Sequence, residues 1–222
     1  MICKMGKVGK ESGIAAAYDR WAATYDTDPN RTRELAGEVL RGAELPIAGR
    51  DIVEIGCGTG RNTEWLATQA ASITALDFSE EMLRRAATRI QDPKARFIQH
   101  DVRAKWPLPA AAADVIIAML VLEHVEQLQP VFAEAVRVLR PTGELFICEL
   151  HPMRQLMGGQ AQFSNTQTGE RERVAAFLHN VSDFVNDGLA AGLGVRRLDE
   201  WRDPDTPADS IPRLLSLVFI KK

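Results

Sequence analysis

Three glycines separated by single residues, Gly56-Cys57-Gly58-Thr59-Gly60, follow the run Val53-Glu54-Ile55 and precede helix-forming sequence at Arg61–Leu66. Glycine lets the chain bend sharply and leaves no side chain over the turn, so a ligand can lie against the main chain. The helix that follows aims free N–H groups, with partial positive charge, at the same spot. This arrangement suits a nucleotide-like ligand. Spacing narrows the choice. A G-x-G-x-x-G dinucleotide fingerprint needs its third glycine where Arg61 stands, and a phosphate-binding loop needs a Gly-Lys-Ser/Thr that is absent.

Further acids and histidines fall at the ends of later apolar runs. Asp77, in Leu76-Asp77-Phe78-Ser79, can accept hydrogen bonds from the two vicinal hydroxyls of a ribose; Ser79 is the better cap for the next helix, which frees Asp77 for that role. Phe78 then falls beside a base. Asp101 and Val102 close the next run and can meet an adenine amine and ring nitrogen. Beyond them come Glu123-His124 and Glu149-Leu150-His151. Histidine is the simplest base near neutral pH. His124 and His151 are the candidate proton acceptors, with Glu123 or Glu149 as substitutes. His100 lies on the adenine side and His179 in a segment that covers the site.

The elements that must position these residues alternate. Strands are expected at Asp51–Ile55, Ser72–Leu76, Arg96–Gln99, Asp114–Leu120 and Glu144–Leu150, with helices over 62–70, 79–90 and 128–139. Repeated strand and helix means an α/β protein with a mostly parallel sheet, helices on both faces and ligands at the carboxyl ends of the strands. The pattern breaks twice. Residues 1–50 read as a helical cover with helices over 12–24 and 31–41. Residues 151–180 read as an insertion, a hairpin of 160–164 against 172–177 lying over the active face. A helix over 181–192 and strands at 194–201 and 214–221, the last antiparallel, complete the expectation of one domain over 1–222.

Composition sets outer bounds. A chain of 222 residues with 45% hydrophobic and 26% charged residues can bury a real core. Its formal net charge of -3 gives no footprint for nucleic acid or an anionic membrane. Cys3, Cys57 and Cys148 are odd in number and far apart, which argues against a disulfide framework and for a reducing cytoplasm. No cysteine or histidine spacing suggests a metal. Lys4, Lys7 and Lys10 are followed by no apolar run, so no signal peptide is expected, and the apolar stretch 110–122 is short and holds Asp114.

Taken in order, Glu54–Gly60, Asp77-Phe78-Ser79, His100-Asp101-Val102, Leu120–Val125 and Leu139–Gly143 resemble the successive motifs of small-molecule class I S-adenosylmethionine-dependent methyltransferases. The stretch Tyr18-Asp19-Arg20-Trp21-Ala22-Ala23-Thr24-Tyr25-Asp26 is similar to the N-terminal element of the ubiquinone/menaquinone-type branch. The resemblance implies a Rossmann-like, seven-stranded fold with S-adenosylmethionine as cofactor. It implies that Glu54 anchors the methionine ammonium through water or the glycine loop, and that Gly56, Cys57 and Gly58 line the methionine and ribose. Asp77 would hold the ribose, Asp101 and Val102 the adenine, and the Met119 carbonyl the ammonium. Tyr18, Trp21 and Tyr25 would close the pocket. The implied partner is a small-molecule acceptor, because strand four lacks the Asp/Asn-Pro-Pro-Tyr and Pro-Cys signatures of base and amide methylation; a homodimer is also compatible. An NAD-type oxidoreductase and a non-catalytic S-adenosylmethionine-binding protein are the competing readings.

Overall fold

The computed structural model describes residues 11–166 and 168–222; Cys3, Lys4, Lys7 and Lys10 lie outside them. Helices α1 (Glu11–Trp21) and α2 (Arg31–Gly42) precede β1 (Asp51–Ile55). Then come α3 (Arg61–Ala67), β2 (Ser72–Asp77), α4 (Glu80–Arg89), β3 (Ala95–Gln99) and β4 (Ala113–Met119). A 3₁₀ turn at Leu122–His124 leads to α5 (Gln129–Val138), β5 (Leu139–Leu150) and α6 (Pro152–Leu156). The chain continues with β6 (Gln162–Ser164), β7 (Arg171–Arg173), α7 (Val181–Ala190), β8 (Leu193–Trp201) and β9 (Leu214–Lys221). The main sheet runs β3-β2-β1-β4-β5-β9-β8; β9 is antiparallel to its neighbours and β1 to β5 are parallel. The expected Rossmann-like sheet is what forms.

Successive residues of a strand point to opposite faces, so each central strand feeds two cores. Val53, Ile55, Ile116 and Ala118 pack against Val131, Phe132 and Ala135 of α5 and Phe184 of α7. Ile52, Val115 and Ile117 pack against Leu35, Val39 and Leu40 of α2 and Leu66 of α3 on the other face. Burial on both faces explains why these strands read as continuous apolar runs. Ser79 caps α4, its hydroxyl accepting the Met82 N–H at 3.1 Å. Cys57 and Cys148 are both free and buried.

Three elements differ from expectation. The short helix α6, capped by His151, stands at the start of the segment for which only a hairpin is expected. Helix α5 ends at Val138, where the Arg140-Pro141-Thr142-Gly143 signal puts its end, but strand β5 begins at Leu139 rather than Glu144, because Leu139 already pairs with Ala113 and those four residues form an irregularity inside the strand. The register with β4 shifts between Ala113 and Val115, Thr142 takes φ +63, and a Cβ on Gly143 would lie 2.9 Å from the carbonyls of Arg140 and Asp114. The β6–β7 hairpin is shorter than expected because the chain leaves it after Val174, whose N–H still donates to the Ala161 carbonyl at 2.9 Å, and docks elsewhere: the Phe177 N–H donates to the Glu123 carbonyl at 2.7 Å.

A third apolar cluster stands apart from the sheet. Ile14, Ala17 and Trp21 of α1 pack on Phe163 and Val174 from the hairpin, with Tyr18, Tyr25 and Phe78 at its edge. Trp21 stacks on Phe163 with centroids 5.2 Å apart. This cluster roofs the carboxyl ends of β1, β2 and β4. Among the described residues no helix is long and apolar enough to cross a membrane, and no group of His, Cys, Asp or Glu could hold a metal.

Candidate active site

The glycine turn between β1 and α3 has the strain its composition predicts. Gly56, Gly58 and Gly60 all take positive φ, at +69, +54 and +80. A Cβ on Gly56 would sit 2.5 Å from the Val121 side chain, so the turn and the end of β4 interlock only without one. Gly58 faces open space. Its N–H donates to Asp77 Oδ2 at 2.8 Å, and the Ser79 N–H donates to Asp77 Oδ1 at 2.9 Å. Two amides therefore fix the Asp77 carboxylate, and a carboxylate has about four acceptor positions, which leaves two for hydroxyls. Burial pushes the Asp77 pKa up to about 6, against the opposing pull of those amides.

Around this turn lie three clefts. The first is lined by Tyr18, Tyr25, Gly56, Gly58, Asp77, Phe78, Asp101, Val102, Met119 and His124, with Leu120 among them. The fold thus gathers most of the residues singled out in the sequence into one space. A second cleft, on the α2 side, is bounded by Arg33, Cys57, Thr59, Asn62 and Met119. The third lies under the hairpin, bounded by Trp21, Arg33, Glu123, Arg154 and Arg213. Tyr18 and Leu120 line both the first and the third, and Tyr25 and Leu120 line all three. Leu120 takes φ +53, a conformation leucine rarely adopts, at the point where the clefts meet.

Other sequence candidates stand elsewhere. Glu54 is buried behind the turn, where its Oε2 accepts the Thr63 hydroxyl at 2.5 Å and so ties β1 to α3; burial pushes its pKa up to about 7. Asp101 lines the first cleft but is held by Arg103, whose Nη2 donates to it at 2.5 Å; that hydrogen bond keeps its pKa below the usual range. His151 is not brought to the clefts. It caps α6, with Nδ1 accepting the Met153 N–H at 3.2 Å and Nε2 3.0 Å from Glu200. His179 is likewise engaged, 2.7 Å from the Val125 carbonyl.

His124 has a different setting. Its Nδ1 lies 2.8 Å from the carbonyl of Ala175, which can only accept, so the ring proton sits there. Nε2 is then a lone pair, and the Tyr18 hydroxyl donates to it at 2.8 Å. Burial raises the Tyr18 pKa well above the usual phenol value, so the hydroxyl keeps its proton until a base takes it. Glu123 Oε1 lies 3.8 Å from the same nitrogen.

Several residues that shape the site carry no motif of their own. Asp19 accepts the Ser79 hydroxyl at 2.6 Å, and Asp26 accepts the Thr59 hydroxyl at 2.8 Å and Arg89 at 2.6 Å. These two acids fasten the N-terminal segment to α4 and to the glycine turn; they lie inside the Tyr18–Asp26 stretch, where the tyrosines draw attention first. Arg33 donates to the main-chain carbonyls of Tyr25 and Asp28 and packs 4.0 Å from the Tyr25 ring centroid. Its Nε is buried without a partner, and its two Nη groups are spent on those main-chain carbonyls.

Glu149 braces the turn that carries His124. Its Oε1 accepts the N–H groups of Val121 and Leu122, both at 3.0 Å, while Oε2 is buried without a partner. Burial pushes its pKa from 4.5 up to about 8. The folded state therefore keeps a proton that the unfolded chain loses above pH 4.5. Its stabilising share is fully present below that value and is lost as pH rises toward about 8. Glu149→Gln keeps the two accepted bonds and cannot ionise. Melting curves should show the variant level with the parent near pH 4.5 and ahead at pH 8.5, by roughly 2–4 °C for each kcal/mol of penalty removed. Parallel pH profiles would count against a neutral Glu149.

Comparison with known proteins gives the same direction. A family model described as a methyltransferase domain matches residues 53–147. A probable S-adenosylmethionine-dependent methyltransferase of Mycolicibacterium smegmatis is 36% identical over 156 residues, covering 68% of this chain and 60% of that protein. A demethylmenaquinone methyltransferase of Tropheryma whipplei is 34% identical over 145 residues, covering 64% and 58%. The chain thus spans about three fifths of the length of these two relatives. Among solved structures, the DhpI–SAM–HEP complex superposes with a TM-score of 0.73 at 20% identity, covering 98% of this chain and 100% of the other, a likeness of fold.

Proposed function

This chain belongs to the S-adenosylmethionine-dependent methyltransferases, and from that premise we propose that it methylates a small molecule lodged in the cleft under the hairpin. The observation that carries the reading is the shared wall: Tyr18, Tyr25 and Leu120 border both the Asp77 cleft and the hairpin cleft. The described part of the 1–50 cover and the 151–180 insertion supply the roof. An NAD-type oxidoreductase is set aside on Arg61 and on the family match.

The residues present fit the cofactor. Asp77 has acceptor positions left for two ribose hydroxyls, and open space over Gly58 leaves bare main chain for a ligand. Asp101 and Val102 would hold the adenine beside Phe78, and the Met119 carbonyl the ammonium. Cys57 would line the methionine tail, with Glu54 holding the turn from behind. Arg33, whose hydrogen bonds go to main-chain carbonyls and whose Nε is left without a partner, would take the carboxylate of that tail.

When bound, S-adenosylmethionine supplies an electrophilic methyl carbon, to which the acceptor atom bonds as the carbon–sulfur bond breaks and its electron pair stays on sulfur. The chain's own largest contribution is alignment, worth about 7–11 kcal/mol where reacting atoms are held in line. A neutral hydroxyl or amine must also lose a proton, and Tyr18 can take it while passing its own to His124 Nε2. Proton transfer of this kind contributes about 10²–10⁴-fold. Positioning therefore outweighs the base.

Calorimetric titration should show one equivalent of S-adenosylhomocysteine bound and no heat with NAD. Label from methyl-labelled S-adenosylmethionine should then appear in a product from a metabolite panel. No heat with S-adenosylhomocysteine would overturn the assignment. Heat without any labelled product across the panel would favour a non-catalytic binder.

A further inference from the structure

The cleft under the hairpin has a charge imbalance that the proposed reaction does not use. Three guanidinium groups border it, from Arg33, Arg154 and Arg213. Arg33 is assigned above to the cofactor side. Arg213 is bound in a fork by Asp203, with Nε and Nη2 each donating at 2.7 Å, and its Nη1 donates to the Thr32 hydroxyl at 3.1 Å. Arg154 is held far more loosely. It lies 3.6 Å from the same Asp203, and its remaining bonds go to the carbonyls of Pro212 at 3.3 Å and Ile211 at 3.4 Å.

Asp203 thus serves Arg213, Arg154 and also Arg31 at 3.5 Å. Arg31 has acids of its own, Glu38 at 3.2 Å and Glu34 at 3.6 Å. Arg154 and Arg213 therefore share one carboxylate, which leaves a surplus positive charge beside the cleft. Asp203 does not itself line the cleft; the acid that does, Glu123, faces Gln155 at 3.4 Å and His124 at 3.8 Å. Burial raises its pKa, which lessens any counter-charge it offers. Asn30, Thr32 and Gln160 add neutral hydrogen-bonding groups to the wall.

We infer that the methyl acceptor carries an oxyanion, a carboxylate or a phosphate, seated on Arg154 and completed by Arg213 and Thr32. The inference rests on the methyltransferase reading and deepens it by naming the acceptor's chemical class. Arginine's planar fork matches either oxyanion, and a loosely held guanidinium has donors to give. The acceptor lies with its anionic end on these arginines and its reacting atom toward Tyr18 and Leu120, which border the same cleft. A neutral molecule of the same shape would leave the surplus cation uncompensated.

The test uses the full chain with and without S-adenosylhomocysteine, probed with benzoate, inorganic phosphate and neutral benzamide. Benzoate or phosphate should bind about tenfold or more tightly than benzamide, the better anion identifying which oxyanion is preferred. Arg154→Met should lose about tenfold or more of that anion affinity while binding S-adenosylhomocysteine normally, which also reports that it folds. Arg154→Lys should retain part of it. Equal binding of benzamide and both anions, or an unchanged anion affinity in Arg154→Met, would overturn the inference with the cofactor assignment intact. Anion binding that depends on Arg154, in a protein that takes no S-adenosylhomocysteine, would support the anion seat and count against the methyltransferase reading.

Discussion

Asp77→Ala should weaken S-adenosylhomocysteine binding by about a hundredfold or more. Two charge-assisted hydrogen bonds to ribose would be lost, each worth about 1.5–3 kcal/mol, and 1.4 kcal/mol is a factor of ten. The substitution also strips the partner from the Gly58 and Ser79 amides, so some thermal stability should go with it. Asp77→Asn is the graded variant: it is isosteric, but it loses the charge and turns one of the two oxygens that accept the Gly58 and Ser79 amides into a donor, so it should fall between the parent and Asp77→Ala in both binding and stability. His151→Ala is the matched control. It removes a helix cap, worth about 1 kcal/mol, and should leave binding unchanged. Calorimetry on the three variants decides the matter. Equal losses in Asp77→Ala and His151→Ala would remove Asp77 from its assigned role.

Tyr18→Phe should leave the cofactor's affinity within about threefold and lower kcat by about a hundredfold. The ring stays in place against Trp21, Tyr25 and Phe78, at centroid distances of 5.7, 6.2 and 5.9 Å, so the wall between the clefts is kept. What disappears is the hydroxyl that donates to His124 Nε2 at 2.8 Å. Single-turnover rates, taken with whichever acceptor the label assay yields, isolate this step from product release. A variant with full kcat would show that the hydroxyl carries no proton and that alignment alone suffices.

Much of this architecture is written locally in the chain. Strands buried on both faces leave continuous apolar runs, and the hydroxyl of Ser79 marks the start of α4. The glycine spacing locates the turn and the Asp77 run locates its partner, because both requirements are met by neighbours in sequence. Long-range decisions are not written this way. Arg33 reads as one more charged residue on an amphipathic helix; only the carbonyls of Tyr25 and Asp28 and the Tyr25 ring draw it inward. Arg154 and Arg213 meet because β9 returns beside β5, which no local pattern announces. His151 occupies the expected end of β5, and there the unpaired Met153 amide and Glu200 claim its ring. The Pro141-Thr142-Gly143 stop signal does end α5, but it does not keep the strand from starting, since Leu139 pairs with Ala113 ahead of it and the four residues that follow are absorbed as an irregularity.

The separate apolar cluster above the sheet also constrains how the chain folds. Trp21 and Phe163 come from opposite sides of the parallel strands in sequence, so their stacking closes a very long loop. Such closure is entropically costly and gains little until the intervening strands have paired. The roof should consequently form last. Hydrogen exchange would find its amides among the first to open, well before those of β1 and β4.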